Sequence, residues 1–270
     1  MILSSVGSGS KGNCFAITTA GQTILVDAGF GPRTVQKRLR DSGHQLGHVV
    51  AVAVTHEHGD HSRAVDSLAR RFRCEVIASK GTLDRLRDRL GDIRTRTVSP
   101  HSPLGAGPFS VTGCPTSHDA AEPMAFLVEG PEQGQSVGFA YDLGRPTSSL
   151  RFLLKNAACL VIESNHDEEL LRSGEYPPAV QQRIAGSAGH LSNRATARLL
   201  DEIVQPGLKR VLLAHLSDRC NDPELALRDA RRALQASGYV GQLDALAQDA
   251  ACGPYQIGPE NVQLKLGQTA

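Results

Sequence analysis

The sequence predicts an α/β fold in which sheets lie buried beneath helices, and three observations carry that expectation. Short apolar runs of strand length, rich in β-branched residues, recur along the chain. Amphipathic segments at helical spacing alternate with them, and no repeat, low-complexity tract or long linker interrupts the series. Runs that are apolar throughout belong to strands covered on both faces, so one compact domain over residues 1–270 is the simplest organisation.

Taken in order, the chain opens with the strand-like runs "MILSSV", "CFAITT" and "TILVDAG". "PRTVQKRLRDSG" then reads as a helix, opened by Pro and closed by Gly. "VVAVAV" is the next strand, followed by the helical segment "SRAVDSLARRFR", the strand "EVIAS" and the helix "GTLDRLRDRLGD". "FSVTG", "MAFLVE" and "SVGFAYD" form a run of strands that the helix "SSLRFLLKNA" closes. The last third reads strand "ACLVIES", helix "SNRATARLLDEIV", strand "RVLLAH", helix "DPELALRDARRALQASG" and strand "PYQIG".

Charge excludes some function classes. Lys and Arg number 29 against 28 Asp and Glu, so no global field marks a nucleic-acid or membrane binder, and any polyanion contact must come from a local patch. "RRFR" and the stretch Asp84 to Arg96 are candidates for backbone contacts, although Asp–Arg pairing on solvated helix faces explains them better. No segment approaches the roughly 20 apolar residues of a membrane span, and the N-terminus lacks a signal-peptide pattern, which predicts a soluble, cytoplasmic protein. Cys14, Cys74, Cys114, Cys159, Cys220 and Cys252 are scattered and form no CxxC pair, so they read as reduced core thiols.

"GSGSKG", Gly7 to Gly12, satisfies GxGxxG after an apolar strand, but a dinucleotide site needs a helix to begin there. The β-rich "NCFAITTAGQTILVDAG" follows instead, which predicts a strand–loop–strand unit. The loop, Ser8 included, could still line one side of an anion site with its N–H groups.

The stretch "THEHGDHS", Thr55 to Ser62, concentrates metal-capable side chains behind the buried strand "HVVAVAV". His56, His58, Asp60 and His61 form H-x-H-x-D-H; alternate positions can point two imidazoles to one side while Asp60 and His61 serve a second ion. Mixed imidazole and carboxylate donors suit Zn²⁺, Mn²⁺ or Fe.

This motif resembles the hallmark of the metallo-β-lactamase superfamily. The resemblance implies an αββα sandwich, in which two facing mixed β-sheets are covered by helices on both outer faces and the metals sit at one edge. It also implies further ligands at His118 in "PTSHDA", Asp142 in "FAYDLG" and His215 at the end of "RVLLAH". "GSGSKGN", "HDAAEP", "ESNHD", "GEYPPAVQQRI", "GHLSN" and "AHLS" are similar to the signature set of the YycJ/WalJ branch, bacterial metallo-β-lactamase-fold exonucleases. Tyr141 before Asp142 and Cys220 before Asn221 depart from that branch's "TDLG" and "NN".

What the resemblance implies is a dinuclear phosphodiesterase holding two divalent ions, Mn²⁺ or Zn²⁺. It would hydrolyse nucleic acid, DNA first and RNA second, as a 5′ to 3′ exonuclease, by attack of a metal-bridging hydroxide on the scissile phosphate. Asp60 would bind the second ion and orient the nucleophile, and Asp142 would bridge. His190 would meet the scissile phosphate, with Glu163 and His166 as orienting groups. Ser8, Ser192 and Asn193 are the expected substrate contacts. The interval from Asp142 to His215 is too short for the large domain inserted in β-CASP relatives. The competing reading is an ester, thioester or lactone hydrolase on the same metals; a non-enzymatic partner module fits the intact ligand set less well. The sequence carries no signal of oligomeric state.

Overall fold

The computed structural model describes residues 1–259, so the last stretch of the expected 1–270 domain lies outside the described residues. Two seven-stranded sheets form the centre. The first contains β1 (Ile2–Gly7), β2 (Cys14–Thr19), β3 (Gln22–Val26), β4 (His48–Ala53), β5 (Glu75–Ala78) and β6 (Thr95–Thr97) in that order. The second runs through β7 (Leu104–Ala106), β8 (Phe109–Pro115), β9 (Met124–Glu129), β10 (Ser136–Ala140), β11 (Cys159–Glu163), β12 (Arg210–Ala214) and β13 (Gln242–Ala245). The closing strand β14 (Cys252–Gln256) returns to the first sheet, antiparallel to β1.

The sheets share one plan. From β14 to β3, and from β7 to β10, neighbours pair antiparallel; from β3 to β6, and from β10 to β13, they pair parallel. Parallel neighbours need crossovers, and helices supply them. α1 (Pro32–Asp41), the single turn α2 (Gly59–Ser62), α3 (Val65–Phe72) and α4 (Lys80–Leu90) belong to the first half. α5 (Ser148–Leu154), α6 (Glu168–Ser173), α7 (Pro178–Ala185), α8 (Asn193–Ile203) and α9 (Pro223–Ala236) belong to the second.

Strand alternation assigns the layers. Ile24 and Val26 of β3 and Leu212 and Ala214 of β12 point into the core between the sheets, with Phe15, Phe126 and Phe139. Leu25 faces the opposite way into the cluster under α1, α3 and α4, and Val211 and Leu213 into the one under α5, α8 and α9. The result is the expected αββα sandwich, and its strands are apolar on both faces because both are covered.

"GSGSKG" links β1 to β2 as a strand–loop–strand unit. Differences from the sequence reading fall at the sheet edges and at the turn after the metal-capable loop. β6, β7 and β13 were not expected; each is an edge strand of three or four residues, and β6 reads "TRT" with no buried position. The helix expected from Ser62 starts at Val65, because the chain first makes the turn α2 and Ala64 N–H then bonds Ala28 carbonyl. Among the described residues no helix is long and apolar enough to cross a membrane. The six cysteines are unpaired; Cys14, Cys114, Cys159 and Cys220 are buried.

Candidate metal centre

The parallel strands deliver their C-terminal ends to one edge of the sandwich, and the candidate residues lie there. Thr55 to His61 follow β4, Asp142 follows β10, Glu163 ends β11 and His215 follows β12, while His118 leaves β8. Asp27, Asp142 and His215 each take left-handed φ (63°, 53° and 53°), a strained conformation for a residue with a Cβ. Each turns sharply as its strand ends, which aims its side chain along the edge. The loops pack closely: a Cβ at Gly29 would stand 2.1 Å from Asp60 carbonyl oxygen.

Two groups of donors result. His56, His58 and His118 converge, with His56 Nε2 3.1 Å from His58 Nδ1 and His58 Nδ1 3.3 Å from His118 Nε2. Asp60, His61 and His215 form the second, with Asp60 Oδ2 3.3 Å from His61 Nε2 and 3.6 Å from His215 Nε2. Asp142 stands between them: Oδ2 lies 2.7 Å from His61 Nε2 and 3.9 Å from His56 Nε2.

These residues fit a pair of cations. Asp142 Oδ2 and His215 Nε2 are buried without a hydrogen bond, a costly state unless a ligand takes the lone pair. His58 Nδ1 stands within hydrogen-bond distance of both His56 Nε2 and His118 Nε2, so three imidazole nitrogens crowd one point where a cation could take their lone pairs. Histidine and carboxylate donors together match Zn²⁺ or Mn²⁺ chemistry.

Burial opposes charge throughout the centre, and the outcome depends on each group's neighbours. Burial and the nearby His61 keep His56 well below the usual imidazole range. At His61 and His215 burial is outweighed by Asp142, together with Asp27 at His61, so both imidazoles are held well above that range. Burial would raise Asp60 and Asp142, but His61 and His215 hold both carboxyls well below the ordinary value.

A further ring of contacts aims the donors. Glu163 is fully buried; Oε1 accepts from His190 Nδ1 (2.8 Å) and His215 Nδ1 (3.1 Å), and Oε2 from the N–H groups of Leu143 and Leu191. Fixing His215 through Nδ1 leaves Nε2 for the Asp60 side. His190 lies beside Asp142, Nδ1 to Oδ1 3.2 Å, at the rim of the centre.

Other expected roles need correction. Ser8 is not free to meet a substrate: it is buried, its hydroxyl donates to Asn13 Oδ1, and it accepts from His215 N–H. Ser192 caps α8 and donates to Glu168, and Asn193 is buried in a reciprocal amide pair with Asn221 that also bonds Ser164. Asn221, flagged by its Cys220 neighbour, is therefore structural. His166, expected to orient ligands or His190, is buried with Nδ1 unbonded, and its ring makes no hydrogen bond to either.

Two further residues, Asp27 and Tyr141, position the donors. Asp27 accepts from His61 Nδ1 (2.7 Å), Tyr141 Oη (2.7 Å) and both the N–H and hydroxyl of Thr55, so it locks the loop that bears His56 and His61. An acid ending the apolar strand "TILVDAG" was the available signal for Asp27. Tyr141, a departure from the branch pattern, supplies the second donor to the same carboxylate.

Fold and centre together define a metal-dependent hydrolase that uses divalent ions. The family described as "Beta-lactamase superfamily domain" matches residues 22–216. Exodeoxyribonuclease YycJ of Bacillus anthracis is 31% identical over 241 residues, covering 88% of this chain and 90% of its own. Exodeoxyribonuclease WalJ of Streptococcus pneumoniae is 30% identical over 226 residues, covering 82% and 83%. The Zn²⁺-bound crystal structure of PqqB from Methylobacterium extorquens superposes with a TM-score of 0.66 at 16% identity over 94% of this chain and 100% of that one, a likeness of fold. The chain belongs to the metallo-β-lactamase superfamily, in its YycJ/WalJ-like branch.

Proposed function

We propose that the protein is a dinuclear phosphodiesterase that hydrolyses nucleic acid, acting on DNA as a 5′ to 3′ exonuclease and on RNA secondarily. The observation that carries the reading is the pair of three-residue groups flanking Asp142, with His190 at their rim. The two relatives named as exodeoxyribonucleases support the substrate class. His56, His58 and His118 would hold one ion and Asp60, His61 and His215 the other, with Asp142 shared. Two divalent ions so held, Zn²⁺ or Mn²⁺, would supply an acidified water and positive charge beside the phosphorus.

The chain's own residues do the rest. Asp60 orients the nucleophile from the second group. Glu163 fixes the His190 ring through Nδ1, so its Nε2 is left for the phosphate oxygen or the departing alkoxide. Asp27 keeps His61 aimed across the centre.

The test is cleavage of end-labelled single- and double-stranded DNA and RNA by chelated protein reloaded separately with Mn²⁺ and Zn²⁺. Stepwise loss from the 5′ end that requires the ion is expected. Absence of cleavage with ions shown bound would overturn the reading and favour an ester, thioester or lactone substrate.

A further inference from the structure

The segment from Gly174 to Gly189, which carries α7, contributes none of the helix's residues to the core. It is nevertheless tied to the loop that presents His118. Ser117 Oγ donates to Ser187 carbonyl (2.6 Å), Arg183 pairs with Asp119 (2.8 Å), and Gly189 carbonyl lies 3.2 Å from His118 Nδ1. A Cβ at Gly189 would stand 2.2 Å from the carbonyl oxygens of Arg183 and Ile184, so the close return of the chain requires glycine. A segment with so little apolar burial, pinned so firmly beside the centre, has a positioning task.

Beside it lies a pocket of about 210 Å³ whose lining includes His118 and His190. Tyr176, Val180 and Ile184 contribute apolar surface to its lining, and Asn165 and Ser217 are among its polar groups. A lining that mixes apolar surface with polar groups suits a flat heterocycle with donors and acceptors on its rim. The volume falls below the roughly 300 Å³ at which drug-sized pockets begin, a size that suits a single nucleoside better than two. Among the described residues Tyr176 is the sole phenyl-type ring in the lining; Gln181 Nε2 fixes its carbonyl at 2.9 Å, and the Arg219 guanidinium lies 5.6 Å from its ring centroid.

We infer that this pocket seats the terminal nucleoside of the strand, its base stacked on Tyr176 and its edge toward Asn165 and Ser217, while the scissile phosphate meets His190. The inference rests on the nuclease reading above and adds to it the product: one nucleotide per cycle. Tyr176 is then a specificity residue that grips the base and leaves the reacting atoms to the metal centre. Stacking of this kind is uniform binding, felt in KM more than in kcat.

The test is a cycle between protein and substrate, with Mn²⁺-loaded wild type, Tyr176→Ala and Tyr176→Phe acting on oligonucleotides that carry an intact or an abasic 5′-terminal residue. Tyr176→Ala is expected to raise KM for the intact strand about tenfold or more, with kcat and bound metal little changed. The abasic end should impose a similar penalty on wild type and no additional one on Tyr176→Ala, and Tyr176→Phe should behave as wild type. The first product should be a mononucleotide. Independent losses from the variant and the abasic end, or a first product of two or more nucleotides, would overturn the inference while leaving the nuclease reading intact. Wild type that cleaves neither strand would overturn both.

Discussion

The two ends of the same parallel strands bury different things. At the C-terminal ends, Asp27, Asp142 and His215 hold left-handed backbone, and Asp142 Oδ2 and His215 Nε2 are buried without hydrogen bonds. At the opposite end a groove of about 750 Å³ opens where β4 and β5 begin, lined by Arg70, Arg73, Arg94, Arg96 and Glu75. Its charges are ordinary surface ones: Arg70 pairs with Asp92 (2.8 Å), and Arg94 and Arg96 share Glu75. Such pairs contribute little in water. Its single left-handed residue of this kind, Arg73, ends α3, where such a turn is common. The large groove is thus relaxed, whereas the C-terminal strand ends are strained and hold unsatisfied polar atoms; stored polar cost, more than cavity size, marks the chemistry.

Asp60→Ala should have the largest effect: it removes a donor whose side chain is 23% exposed and so should spare the fold. Turnover should fall by more than the roughly 100-fold typical of losing an orienting partner, with the circular dichroism spectrum unchanged. Wild-type rates would place the chemistry elsewhere. His190→Ala should lower kcat about 100-fold, as loss of a positioned acid or phosphate donor does, while metal content measured by elemental analysis falls far less. Equal loss of both would make His190 structural.

A smaller effect separates the centre from an ordinary buried histidine. His44 is 4% exposed, held between Thr18 and Ser4 hydroxyls, and burial lowers its pKa from 6.5 to about 4. The unfolded chain therefore takes up this proton at higher pH than the folded one. The group's contribution is fully present above pH 6.5 and is lost as pH falls toward 4, by at most about 3 kcal/mol and less where water screens the ring. Urea unfolding of wild type and His44→Gln between pH 4.5 and 7 should show a shallower dependence in the variant; parallel curves would count against it. Smallest of all, Arg73→Glu in the opposite groove should leave nuclease turnover within about twofold, as a solvated charge does. A large loss would bring substrate to that end and undo the contrast.

The legible parts of the molecule were those in which chemistry or burial is compressed locally. H-x-H-x-D-H puts His56, His58, Asp60 and His61 on one loop, and the apolar runs behind it could only be covered strands. The edge strands β6, β7 and β13 escaped because three or four residues are too few to carry a periodic signal. The bond between Asp27 and Tyr141 escaped for a different reason: it joins residues 114 apart in the chain, across the two sheets. Ser8, Ser192 and Asn193 lie next to the right motifs, yet proximity in sequence did not give direction, and each hydroxyl or amide turns inward to hold the frame.

On the proposed function, the strained end would hold two ions through His56, His58, Asp60, His61, His118, Asp142 and His215. The most direct test is the number of ions per chain, by elemental analysis of chelated protein reloaded with Mn²⁺ or Zn²⁺ and desalted, beside His118→Ala. Two ions in wild type and one in the variant are expected. A wild-type chain that retains none, or a single ion unaffected by His118→Ala, would contradict the account.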